Sequence, residues 1–189
     1  MTKKEVKNVA KQSIFDGKTK QETFDDLERT SELSPEKLAK IIQKIPTIQA
    51  RKKYKVLNII LIVLLSLTVL FKMMAGIPII VANGIKWIPI LFLLPIINVL
   101  LLIGVATYSP NSHKLVALFT FLGVLQYVGN IFGEPFNPLI LIDLAIFAGL
   151  IILGLYLNYN LCPDYSSNEE CYQDSRGEYH LRTVIKFDD

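Results

Sequence analysis

Apolar residues crowd the middle of this chain and thin out at both ends. Residues 54–71, YKVLNIILIVLLSLTVLF, hold only Asn58, Ser66 and Thr68 as polar side chains past Lys55. A helix crosses a hydrocarbon core of ~30 Å with about 20 apolar residues, so a first membrane span is predicted over residues 54–73. Lys72 at its far end can extend its amine to the headgroups. Three further spans are predicted over residues 87–107, 114–132 and 137–158. Pro89 suits a first helical turn. Pro95 lies inside the second span, removes a backbone hydrogen bond and predicts a kink. Residues 73–85 contain Gly76, Pro78 and Gly84. They are expected to form a connection at the interface or dipping into it, too short to span.

The polar flanks carry different periods. In residues 1–53, Val6, Val9, Ala10, Ser13 and Ile14 fall on one helical face, and Asp16-Gly17 ends the run. Thr19 followed by Glu22 has the form of a capping box and opens a second helix with Phe24 and Leu27 inward. Ser34-Pro35-Glu36 opens a third, striped by Leu38, Ile41, Ile42 and Ile45. The apolar core of such a head is thin, so it is expected to pack on itself, a second copy or the membrane surface. In the tail, residues 160–189, Tyr179, Leu181, Thr183, Ile185 and Phe187 alternate with His180, Arg182, Val184 and Lys186. That is the period of a strand, and a turn at residues 174–177 makes it half of a hairpin with the segment around Cys171. A lone hairpin is barely stable in water and needs a surface to pack on. The expected fold is an all-α integral membrane protein: a four-helix bundle with a helical N-terminal module and a short β-hairpin tail.

Charge changes this picture by giving it an orientation. Hydrophobic residues make up 51% of the 189, and the net charge is only +3, yet residues 1–56 hold 14 of the 20 Lys and Arg. Arg51, Lys52, Lys53 and Lys55 stand directly at the first span, the pattern that keeps a flank in the cytoplasm. Four spans then place both termini in the cytoplasm of an inner or plasma membrane. No signal-peptide pattern precedes the first span, which is expected to remain as a signal-anchor.

Candidate chemistry is sparse. Asp143 is the one acid within a predicted span, and intramembrane ionisable residues mark function by default. One turn inside its helix, its carboxylate also suits the helix N-terminus. Asn98, Gln126 and Asn130 could join it in a polar lining, or pair across helices as structural glue. Ala145 and Gly149 form a small-xxx-small pair that allows close helix approach. Cys162 and Cys171 are the only cysteines. They are expected as free thiols in a cytoplasmic tail and as a disulfide in an extracytoplasmic one. Their spacing of nine to each other and to His180 is wider than zinc pairs use. Gly17-Lys18-Thr19 lacks the upstream glycine and strand of a phosphate-binding loop. The third head helix offers Lys37, Lys40 and Lys44 without arginine, which fits anionic lipid better than base reading.

The pattern points to no catalytic set, cofactor or metal, and to no nucleic acid. It favours a non-enzymatic, membrane-anchored interaction or scaffold module. The expected partners are the bilayer and a second copy or another protein, met through the N-terminal module and tail. One alternative is a small channel, pore-former or transporter using Asp143, Gln126 and Asn130; a membrane-embedded enzyme or lipid-handling protein is another.

Overall fold

A computed structural model describes residues 1–109, 111–131, 139–173 and 179–187, with side chains described outside 126–131, 139 and 180. The chain is mostly helical, with a two-stranded antiparallel sheet near its C-terminus. It divides into two compact units: Met1–Lys53 together with Tyr159–Asp189, and Tyr54–Asn158.

The first unit begins with α1 (Lys3–Phe15), α2 (Lys20–Thr30) and α3 (Pro35–Gln43), followed by a short α4 (Ile48–Lys53) that periodicity does not predict. Capping boxes open α1 at Thr2 and Glu5 and α2 at Thr19 and Glu22, each satisfying two backbone donors that a helix start leaves unpaired. Gly17, with φ +99°, takes the left-handed turn that ends α1. Ser34 occupies the N-cap of α3, where Pro35 fits the first turn, but its hydroxyl makes no capping bond. Val6, Ala10, Ile14, Phe24, Leu27, Leu38, Ala39, Ile42 and Ile45 close a shared core. Val9, on the predicted face, stays exposed, so the buried stripe of α1 is narrower than its apolar face.

The tail completes that core. Strands β1 (Tyr165–Gln173) and β2 (Tyr179–Phe187) pair antiparallel from Tyr165 opposite Phe187 to Gln173 opposite Tyr179. The turn predicted at residues 174–177 lies outside the described residues. Ile185 is buried among the head helices. The Phe187 ring centroid lies 5.9 Å from that of Phe24 and 5.7 Å from that of Tyr165. Polar ties run alongside. Gln43 Nε2 donates to Asp164 Oδ1 at 2.6 Å, the Phe187 amide to Gln21 Oε1 at 3.2 Å, and Arg182 pairs with Glu28 at 3.2 Å. The surface the hairpin needs is therefore the head.

In the second unit, α5 (Lys55–Asn83) runs unbroken for 29 residues. The connection expected over residues 73–85 is not there: α5 carries straight through Pro78. A proline inside a helix deletes one backbone bond, and apolar helices tolerate it where neighbours pack around the site. Gly76 supplies that packing, because a Cβ there would stand 2.7 Å from Leu91 Cδ2. The helix stops at Gly84, whose φ of +88° and N–H hydrogen bond to the Ile80 carbonyl at 2.7 Å close its last turn.

A 3₁₀ turn (Ile85–Trp87), α6 (Ile90–Leu93) and α7 (Ile96–Ala106) follow, and the break between the last two falls at Pro95 as the missing hydrogen bond predicts. Left-handed Tyr108 (φ +50°) and Asn111 (φ +65°) turn the chain into α8 (Ser112–Ile131), and α9 (Leu139–Leu161) closes the series. Among the described residues, three stretches are long and apolar enough to cross a membrane: Lys55–Asn83, Ile85–Ala106 and Ile140–Leu161. Within α8, the fully described part Ser112–Leu125 is apolar but shorter.

Candidate functional site

Thr68 and Lys72 lie one turn apart on the same face of α5, opposite Asn98 near the start of α7. The Asn98 amide spans both: its Nδ2 donates to Thr68 Oγ1 at 2.7 Å, and its Oδ1 accepts from Lys72 Nζ at 2.8 Å. Thr68 in turn donates its hydroxyl to the Leu65 carbonyl at 2.8 Å, so its oxygen is free to accept from Asn98. This chain fixes the Asn98 amide orientation, since each end meets the group of opposite role.

The three residues edge a cavity of about 450 Å³, within the range of small-ligand pockets. All four long helical segments line it. Leu65 comes from α5, Leu101 from α7, Phe119 and Leu122 from α8, and Phe147 and Leu150 from α9. Thr120 is the fourth polar side chain of the wall, and Lys72 brings its only cation among the described residues. The wall carries no carboxylate among those residues. Gly123 also lines the space and has nothing within 4 Å of where a Cβ would stand.

A second polar group is buried in the same unit. His113 Nε2 lies 2.8 Å from Asn58 Oδ1, and Asn58 Nδ2 donates to the Val105 carbonyl at 3.3 Å. The residues join α5, the end of α7 and the first turn of α8. Close backbone approach accompanies them. Gly104 packs on Ser112, and Gly154 packs on the backbone of His113 and Ala117.

Asn98 pairs with Thr68 and Lys72. Asp143 is half-buried on α9 and is not among the described residues of the cavity wall. Gln126 and Asn130 stand on α8, but their side chains lie outside the described residues. Of the glycines of α9, Gly154 stands against the backbone of α8, whereas Gly149 meets the Leu64 side chain; Ala145 is exposed. Of the cations expected to set the topology, Arg51, Lys52 and Lys53 end α4, with the Arg51 guanidinium 4.5 Å over the Phe15 ring, while Lys55 opens α5. Cys162 and Cys171 are free thiols. Among the described residues no group of three or more His, Cys, Asp or Glu is placed to hold a metal ion.

Lys72, Thr68, Asn58 and His113 are the polar residues whose pairing sequence reasoning missed. Lys72 was expected to reach outward from a helix end, which α5 does not have there. The spacing of Thr68 and Lys72 by four was the available signal.

Comparison of the chain with protein-family models, curated proteins and solved structures gives no match.

Proposed function

We propose that the protein is a four-span membrane protein with both termini in the cytoplasm, whose head and tail form one membrane-anchored interaction module. The observation that carries this reading is the burial of Ile185, from the last strand, in the core built by α1, α2 and α3. Segments that share a core cannot lie on opposite sides of a bilayer, so the crossings between them are even in number. Three span-length stretches call for a fourth, and the 20-residue α8 is the candidate. The cations Arg51, Lys52, Lys53 and Lys55 favour the cytoplasm for the shared side.

The interaction role rests on the outer half of the hairpin. Tyr179 and Leu181, on one face of the sheet, are 75% and 72% exposed. Apolar side chains clustered beyond the core mark a contact surface. A second copy of this chain is the proposed occupant, which makes the module a self-association device without catalysis.

Thiol chemistry tests both parts. An impermeant maleimide should leave Cys171 unlabelled in intact cells and label it after lysis; labelling in intact cells would overturn the cytoplasmic placement. In a Cys162→Ser background, mild oxidation should cross-link Cys171 between copies, since Cys171 stands opposite Leu181 in the sheet. The Leu181→Asp change should abolish that cross-link. A purified protein that stays monomeric and never cross-links would sink the self-association reading.

A further inference from the structure

The cavity of the second unit combines an apolar wall with one cationic end. Lys72 lies seventeen residues beyond Lys55, which is about 26 Å along an α-helix. With Lys55 at one edge of a hydrocarbon core of ~30 Å, the Lys72 amine comes to the headgroup level of the other leaflet. Asn98, itself anchored on Thr68, holds it there, and Leu65, Leu101 and Leu150 lie on the wall toward the bilayer centre. An ammonium has three donors, and Asn98 accepts one of them, which leaves two for an anion. No carboxylate among the described residues of the wall competes for them.

We propose that this cavity binds one anionic membrane lipid, its phosphate at Lys72 and Asn98 and one acyl chain between the helices. The polar end recognises the head as a charge-assisted hydrogen-bond site, and the leucine and phenylalanine wall replaces the lipid surroundings of the chain. The inference rests on the membrane reading above, but neither on the number of spans nor on the side that the termini face. Thiol labelling can therefore overturn the topology without touching it.

The test is native mass spectrometry of the full-length protein in a non-ionic detergent, with phosphatidylglycerol as the probe. Diacylglycerol, which lacks the phosphate, and glycerol phosphate, which lacks the chains, serve as comparisons. The wild type should retain one phosphatidylglycerol per chain. Diacylglycerol should bind about tenfold more weakly, as should phosphatidylglycerol to Lys72→Gln, the loss expected for one charge-assisted hydrogen bond. Glycerol phosphate should not compete. Gly123→Leu, whose side chain enters open space, should melt like the wild type and lose the lipid. It keeps the test decisive if Lys72→Gln folds poorly.

The proposal is overturned if the wild type retains no phosphatidylglycerol, or if Lys72→Gln folds and retains it as the wild type does. Equal binding of diacylglycerol would show a chain site that ignores charge. Displacement by glycerol phosphate at comparable concentration would show a free-phosphate site instead. Either result would overturn the anionic-lipid assignment.

Discussion

Asn58 and His113, 55 residues apart in the chain, meet at 2.8 Å in a buried pair that places a proton on Nε2 of the imidazole. Because Asn58 donates its Nδ2 to the Val105 carbonyl, its Oδ1 faces the ring, and His113 Nε2 is the donor. Removing one partner strands a polar group in an apolar interior, whereas removing both does not. Asn58→Leu should therefore lower stability by about 1–2 kcal/mol, the upper end for interhelical hydrogen bonds in membranes. Adding His113→Leu to it should restore part of the loss. Thermal unfolding of the purified protein reads the cycle, and additive losses would show that the two side chains do not interact.

Burial pushes the Cys162 thiol up, with Lys20 and Arg51 pulling weakly the other way. Cys171 is exposed on β1. Since the thiolate is the reacting species, a maleimide near neutral pH should modify Cys171 faster than Cys162 by about tenfold or more. Because the Cys162 pKa is raised, its rate should keep climbing as pH passes the ordinary thiol range. In denaturant the two rates should converge. Equal rates in the folded protein would contradict the packing around Cys162.

The tail is a structural part of the head, so damage to either should be felt by both. Ile185 is 2% exposed within the head core. Ile185→Ala should destabilise this unit by about 2–4 kcal/mol, through lost burial and the cavity left behind. Leu181→Ala, on the exposed half of the same strand face, should change stability by less than about 0.5 kcal/mol. Hydrogen exchange of α1 and α3 amides distinguishes them. Faster exchange in Ile185→Ala is expected, and unchanged exchange there would mean the hairpin does not complete the core.

Much of this fold was legible because local rules carried it. The Thr19–Glu22 box, the Ser34-Pro35 start and the alternation from Tyr179 to Phe187 each report chemistry within a few residues. What alternation cannot report is coverage: it put Leu181 and Ile185 on one face, and only Ile185 has helices over it. The connection expected at residues 73–85 failed for another reason. Pro78 and Gly76 disfavour a helix by local rules, but the packing of Gly76 against Ile90, Leu91 and Leu94 carries α5 past them. The polar site was least legible. Thr68 and Lys72, the partners of Asn98, follow from how α5 and α7 pack, and no local pattern encodes that register.

Three glycines rank the tightness of the bundle and give its most direct test. At Gly123 a Cβ would meet nothing within 4 Å; at Gly149 it would meet only the flexible Leu64 Cδ1, at 3.3 Å. At Gly154 it would stand 2.9 Å from the His113 carbonyl oxygen and 3.3 Å from the Ala117 amide nitrogen, backbone atoms that cannot swing aside. Gly123→Ala should be neutral or stabilising by up to about 1 kcal/mol, the helix-propensity gain. Gly149→Ala should change little, because the leucine end can move. Gly154→Ala should cost about 1–3 kcal/mol, the usual penalty of overpacking a close contact. The same order should appear in melting temperatures. A Gly154→Ala protein that melts with the wild type would mean that α9 does not cross α8 at this glycine, and the small-xxx-small pair at Ala145 and Gly149 would again be the place to look.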